Sequence, residues 1–250
     1  MQIDLNADAG ESYGNWKLGN DAELFSLVSS VNVACGFHAG DPLTIRHTLR
    51  LAKREGIAVG AHPAFPDLVG FGRREISAAP DEVYADVLYQ VGALSAFLRV
   101  AGMPLHHVKA HGALYNRATR DPETARAIAQ AVKDFDPSLP LVVLPSTPLE
   151  TEAEKLGVPV VAEAFPERGY NRDGRLAPRG LFGALIESPV EAARRAVQMV
   201  VKGEVETIDG GTVPVRARTL CIHSDNPRAV EIARAIRKAL LAEGITVQTY

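Results

Sequence analysis

A parallel (β/α) barrel of about seven strands, TIM-barrel-like, is the fold this sequence predicts. Three observations predict it. Short β-rich runs alternate with longer helical patterns, several of those runs are apolar throughout, and polar clusters recur where a run ends and the next helix begins. An open doubly wound sheet gives the same alternation, because sequence supplies the order of elements along the chain and not their order in a sheet.

The strands read as 3–7 (IDLNA), 31–35 (VNVAC), 57–61 (IAVGA), 106–110 (HHVKA), 141–144 (LVVL), 160–164 (VVAEA) and 219–223 (TLCIH). Helical spacing marks 42–55, 80–101, 121–134, 188–201 and 227–243. In the last of these Val230, Ala233, Ile236 and Leu240 share one face, while Arg228, Glu231, Arg234 and Lys238 occupy the other. Three starts carry an acid or amide before proline: Asp41-Pro42, Asp121-Pro122 and Asn226-Pro227. A side-chain cap and a proline at the first helical position both suit a helix N-terminus. Residues 203–217 differ, since two short extended pieces flank Asp209-Gly210-Gly211 and predict a hairpin inserted near 204–216. No Ser/Gly-rich linker interrupts the chain, so residues 1–250 are expected to form one domain.

Composition narrows the function. Of 250 residues 46% are hydrophobic, enough for one large core that buries roughly 70 to 75% of the extended surface. The 27 Lys and Arg and 30 Asp and Glu form no long block of one sign, which argues against a nucleic-acid groove or an acidic membrane as partner. No apolar run is long enough to span a bilayer, and Met1–Gly10 carries acids where a signal peptide needs a basic start, so a cytoplasmic protein is expected. Cys35 and Cys221 are too few for a disulfide framework and fit a reducing compartment. No phosphate-binding GxxxxGK[ST] loop, GxGxxG turn, HExxH helix or paired CxxC is present.

In either α/β architecture, ligands sit at the C-terminal ends of the strands. The residues gathered there are Asp4, Asn6, Asp8 and Glu11; His38 and Asp41; His62 and Asp67; Lys109, His111 and Asn116; Glu163, Glu167 and Arg168; His223 and Asp225. Positions two apart share a strand face, which predicts a common direction for Asp4, Asn6 and Asp8, and another for Lys109 and His111. Asp41 and Asp121 read equally well as helix caps, and His47 and His106 lie away from the mouth. Arg73 and Arg74 follow two glycines and suit a carboxylate or phosphate. A catalytic divalent metal and a metal-free acid–base site are both open; Cys35-x-x-His38 and Cys221-x-His223 are weak ligand patterns.

The segments DLNADAGE (4–11), NVACGFHAGDP (32–42), GAHPAFPD (60–67), GFGRR (70–74), VKAHGALYN (108–116), EAFPERGY (163–170) and CIHSDNP (221–227) together resemble the LamB/YcsF family. Ala110, Glu167 and Ser224 stand where that family commonly has proline, aspartate and glycine. The resemblance implies a seven-stranded β/α barrel related to sugar-deacetylase folds. It also implies ATP-dependent opening of the lactam of 5-oxo-L-proline to L-glutamate, in company with two further subunits, PxpB and PxpC. ATP is then a cosubstrate bound mainly with those partners and accompanied by Mg²⁺, and a homo-oligomer is a further open arrangement. Placed on this chain, the reaction assigns catalysis to Asp8, His38, His62, Lys109 and His111. Asp8, helped by His38 or His62, would activate water, Lys109 would stabilise developing charge and His111 would protonate the departing nitrogen. Substrate binding falls to Asn6, Glu11, Arg73, Glu163, Arg168, His223 and Asp225, the last orienting His223 or holding the new ammonium.

Overall fold

In a computed structural model describing residues 1–250, the chain runs β1 (Gln2–Ala9), α1 (Asp21–Leu24), β2 (Ser30–Ala34), α2 (Pro42–Glu55), β3 (Ala58–His62) and α3 (Pro80–Ala101). It continues with β4 (His107–Val108), α4 (Gly112–Ala118), α5 (Pro122–Phe135), β5 (Leu141–Val143), α6 (Pro148–Leu156) and β6 (Val160–Ala164). The last part comprises α7 (Pro189–Val201), β7 (Glu204–Glu206), β8 (Thr212–Pro214), β9 (Thr219–Ile222), α8 (Ala229–Ala242) and β10 (Thr246–Val247).

β1 decides between the two architectures, because it pairs in parallel with β2 on one side, Asn6 opposite Ser30, and with β9 on the other, Asp4 opposite Thr219. The ring β1-β2-β3-β4-β5-β6-β9 therefore closes, and all its pairings are parallel. β10 adds outside the ring, beside the start of β1. β7 and β8 form an antiparallel hairpin ahead of β9.

The side-chain period of two sorts β1 into two faces. Ile3, Leu5, Ala7 and Ala9 point outward into a single cluster of 60 buried apolar residues between sheet and helices, so the apolar core is the annulus around the barrel. Asp4, Asn6 and Asp8 point into the lumen, which is polar. Asp4 accepts hydrogen bonds from Ser29 (2.7 Å), Ser30 (2.8 Å) and Thr219 (2.5 Å). Asn6 donates to Glu163 (3.1 Å) and Thr219 (2.6 Å), and Asn32 donates to Asn6 (2.7 Å) and Asp8 (3.0 Å). His107 completes the column at 2.7 Å from Asn32 Oδ1, and it enters only because residue 60 is glycine. A Cβ there would lie 2.1 Å from His107 Nε2.

The ranges of α2 and α3 coincide with those read from sequence. Asp41 caps α2 by accepting from the Leu43 and Thr44 N–H groups, and Asp121 caps α5 through Glu123. The third proline signature behaves differently: α8 begins at Ala229, because the Asn226 side chain accepts from Arg228 N–H and donates to Glu167, which holds the preceding residues as a turn. Helices α1, α4 and α6 are too short to give a clear period, and the sequence reading does not contain them.

Candidate active site

At the mouth, β1 delivers Asp8, β3 delivers His62, and the end of β4 delivers Lys109 and His111 to a cavity of about 230 Å³. Arg73, Tyr115, Asn116, Phe165, Arg168, Arg179 and His223 also line it. A second lobe of about 210 Å³ shares Arg168, Arg179 and His223 and is bounded by Glu167, Asp225 and Asn226.

Lys109 is buried at the floor. Its Nζ lies 2.8 Å from Glu163 Oε1, 2.9 Å from Cys221 Sγ and 3.2 Å from Asp8 Oδ1. Burial works against the ammonium, but the combined attraction of Asp8, Cys221 and Glu163 outweighs it and lifts its pKa well above the ordinary lysine value. Burial likewise opposes ionisation of Asp8, and Lys109 and then His62 overcome it, holding Asp8 well below the usual carboxylate range.

His62 Nδ1 lies 2.7 Å from the Lys109 carbonyl, and its Nε2 lies 3.0 Å from His111 Nδ1 and 3.2 Å from Asp8 Oδ1. His111 Nε2 lies 2.9 Å from the Phe71 carbonyl, which can only accept. His111 therefore carries its proton on Nε2, and its Nδ1 lone pair and the Asp8 carboxylate converge on His62 Nε2. Burial, then His38, pushes the His111 pKa well down and keeps that ring neutral. Phe71 itself takes a positive φ of 56°, a strained conformation that aims its carbonyl at His111. The following Gly72 has no room for a side chain, since a Cβ would sit 2.7 Å from His111 and 2.8 Å from His38.

Four of the residues expected at the site lie behind the cavity wall. His38 stacks on His111 with ring centroids 3.8 Å apart and places Nε2 3.3 Å from Glu11 Oε1; its buried Nδ1 has no partner. Glu11, raised well above the usual carboxylate range by burial and then by Asp8, also accepts from Ser224 Oγ at 3.0 Å. Asn6 and Glu163 support Lys109, with Tyr115 donating to Glu163 at 3.2 Å. Arg168 lines both lobes, yet it donates to the Ala177 and Ala184 carbonyls and so pins the loop it belongs to. Burial lowers its pKa to about 10.

Asp225, expected to orient His223 or hold an ammonium, instead pairs with Arg73 at 2.7 Å. Glu167 takes the place beside His223, accepting its backbone N–H at 2.8 Å. Asp67 and Arg74 lock onto each other and shape the loop after β3. Both cysteines are free. Tyr115, Phe165 and Arg179 went unread in the sequence. The aromatics resemble core positions, and Arg179 sits in a long loop with no periodic signal.

Asp8, Glu11, His62 and His111 each offer a ligand atom within 4.8 Å of the others. The far nitrogen of each imidazole is held by a backbone carbonyl, the outer contact usual for metal-binding histidines. Two carboxylates and two imidazoles suit a borderline divalent ion such as Zn²⁺ better than Mg²⁺, which prefers oxygen.

A closed parallel barrel with an acid, imidazole and lysine cluster at the C-terminal ends of its strands has the layout of an enzyme acting on a small polar molecule. The chain belongs to the LamB/YcsF family, whose model matches residues 3–250. It is 65% identical to the A-type subunit of 5-oxoprolinase from Thermus thermophilus over 100% of both chains. To the corresponding subunit from Pyrococcus horikoshii it is 49% identical, over 99% of this chain and 97% of the other. A crystal structure of a lactam utilization protein from Thermus thermophilus superposes with a TM-score of 0.96 at 64% identity, covering 100% of each chain. A T48 deacetylase shares the fold at a TM-score of 0.50 and 13% identity, over 99% of this chain and 87% of that one.

Proposed function

We propose that this chain is the lactam-opening subunit of an ATP-dependent 5-oxoprolinase, converting 5-oxo-L-proline to L-glutamate while ATP becomes ADP and phosphate. The full-length 65% identity to the A-type subunit of a 5-oxoprolinase carries this reading. A five-membered lactam is a resonance-stabilised amide. Phosphorylating its carbonyl oxygen makes the carbon more electrophilic; water then adds, the C–N bond breaks with a proton going to nitrogen, and the open-chain acyl phosphate loses phosphate to a second water, which is the physical reason for ATP.

The site is suited to the step that follows. Asp8, kept ionised by Lys109, accepts a hydrogen bond from the attacking water and orients it. His62 gives a proton to the departing ring nitrogen, and the neutral His111 lone pair steadies the proton that His62 carries. Lys109 adds positive potential beneath the reacting carbon. A divalent cation held by Asp8, Glu11, His62 and His111 would take the place of that proton relay, since the two cavity-facing ring nitrogens would then be its ligands, and would polarise a carbonyl and acidify water.

ATP, with Mg²⁺, is assigned mainly to the partners PxpB and PxpC, since this chain has no phosphate-binding loop. Support for assembly comes from the rim, where Trp16, Val69 and Phe182 lie 62%, 84% and 101% exposed on three loops that follow strands. No helix is long and apolar enough to cross a membrane, and a cytoplasmic setting fits the supply of ATP.

Reconstitution with PxpB and PxpC, following glutamate and phosphate while each component is omitted, tests this reading. Glutamate is expected only with all three chains and ATP. Equal glutamate release by the isolated chain without ATP would overturn the ATP coupling. It would favour the second reading, metal-dependent amide hydrolysis, for which the four-ligand cluster is the specific observation.

A further inference from the structure

The cavity is lined by four permanent cations, and three of them are engaged. Lys109 is held by Asp8, Glu163 and Cys221, Arg73 by Asp225, and Arg168 by two backbone carbonyls. Arg179 is the exception: it makes no ion pair and no side-chain hydrogen bond, although it lies where the two lobes meet. Around that junction Arg73, Arg168 and Arg179 stand against Glu167, Glu187 and Asp225, and of the three guanidinium groups only Arg179 has neither an ion pair nor a side-chain hydrogen bond. The Arg179 guanidinium is left without a partner at the rim of a cavity whose inner end holds the reactive cluster.

An unpaired guanidinium presents a planar fork of donors that a carboxylate can accept as a bidentate pair. Partial desolvation, then the like charge of Arg73, lowers the pKa of Arg179 against the opposing pull of Asp225, Asp8 and Glu167. The loop that presents it is anchored. Arg195 donates to the Pro166 and Arg168 carbonyls, and Arg168 ties down Ala177 and Ala184 on either side of Arg179. Arg179 is thus an unpaired, solvent-exposed fork on an anchored loop at the entrance to a small polar cavity.

We propose that Arg179, with Arg73 beside it, binds the carboxylate of the lactam substrate and so selects lactams that carry an acid group. This inference rests on the oxoprolinase reading and adds the residue that recognises the acid. A carboxylate held at the junction leaves the ring to extend into the inner lobe, toward Asp8, His62 and Lys109. Its charge is the same before and during ring opening, so the contact contributes uniform binding and appears in KM rather than kcat.

The test compares wild type, Arg179→Gln and Arg179→Lys in the complex assembled with both partner subunits and ATP. The substitutions lie on an exposed side chain, and thermal melting of each variant checks that the fold is retained. Loss of a charge-assisted bidentate contact should raise KM for 5-oxo-L-proline about 10- to 100-fold in Arg179→Gln, with kcat within about threefold and KM for ATP unchanged. Arg179→Lys should recover part of the loss. The neutral amide 5-oxoprolinamide, used as a competing ligand, should bind wild type weakly and Arg179→Gln equally weakly. An unchanged KM for 5-oxo-L-proline in Arg179→Gln would overturn the proposal. So would a shift confined to KM for ATP and to inhibition by inorganic phosphate, which would assign the fork to a phosphoryl group. Absence of glutamate formation by the wild-type complex would overturn the oxoprolinase reading itself, and this proposal with it.

Discussion

Lys109 illustrates how far a single side chain here is committed to both fold and chemistry. For a lysine whose two roles are independent, substitution by Met would separate a stabilising role from a catalytic one. In the structure the two coincide, because removing the ammonium leaves Asp8 and Glu163 as buried carboxylates without their cation. Breaking a buried pair from one side costs about 3–5 kcal/mol, so Lys109→Met should melt well below wild type as well as lose turnover. The double variant Lys109→Met, Glu163→Gln removes one of the stranded charges. It should regain much of the melting temperature in a thermal scan while kcat stays about 100-fold or more below wild type. Recovery of both together would reduce Lys109 to a structural counter-ion.

Elements carry the site through their ends and turns. The α2 cap is one such end: Asp41 accepts from Leu43, Thr44 and Gly14 N–H groups and from the Thr44 hydroxyl, tying the loop after β1 to the start of the helix. Led by the Thr44 hydroxyl, these bonds lower its pKa from the ordinary 3.8 to about 2. A depressed carboxylate stabilises the fold fully above its unfolded pKa and loses that contribution as pH falls through the folded value. Asp41→Ala should therefore cost about 1 kcal/mol at neutral pH, and the difference from wild type in denaturant melts should vanish between about pH 4 and 2. The turn after β3 is the other case. Gly72→Ala would drive a methyl into the His38–His111 stack. Turnover should fall about 10-fold or more with a smaller change in melting temperature, a split that activity and thermal scans on the same preparation would reveal.

At the scale of the molecule, a buried polar column runs through the barrel from Asp4 to Asp8 and ends under loops that expose single large apolar side chains. Trp16, Val69 and Phe182 gain nothing from exposure in an isolated chain, and aromatic side chains on a rim suit a protein partner. Phe182→Asp should leave the melting temperature of the isolated chain within about 1 °C of wild type, as surface substitutions usually do. The same substitution should weaken co-elution with PxpB and PxpC in size-exclusion chromatography. Unchanged co-elution of Phe182→Asp would remove this rim as the proposed partner surface.

Much of this was decided by local chemistry and so was legible along the chain. Period-two alternation in Asp4-Leu5-Asn6-Ala7-Asp8 announced a polar inner face, and Asp41-Pro42 announced where α2 begins, because both depend on residues within one or two turns of each other. Closure of the ring was not legible, since it rests on β1 meeting β9 across more than two hundred residues. Nor were the partners of the charged groups: Asp225 chose Arg73 over its neighbour His223, and Glu163 passed behind the cavity to hold Lys109. Arg179 carried no signal at all in sequence, for what distinguishes it is the lack of a partner, and that shows only once the other cations lining the cavity have found theirs. Spacing along the chain determines which face a side chain takes. Which charge it meets depends on the three-dimensional competition among all the others, and only the tertiary structure settles that.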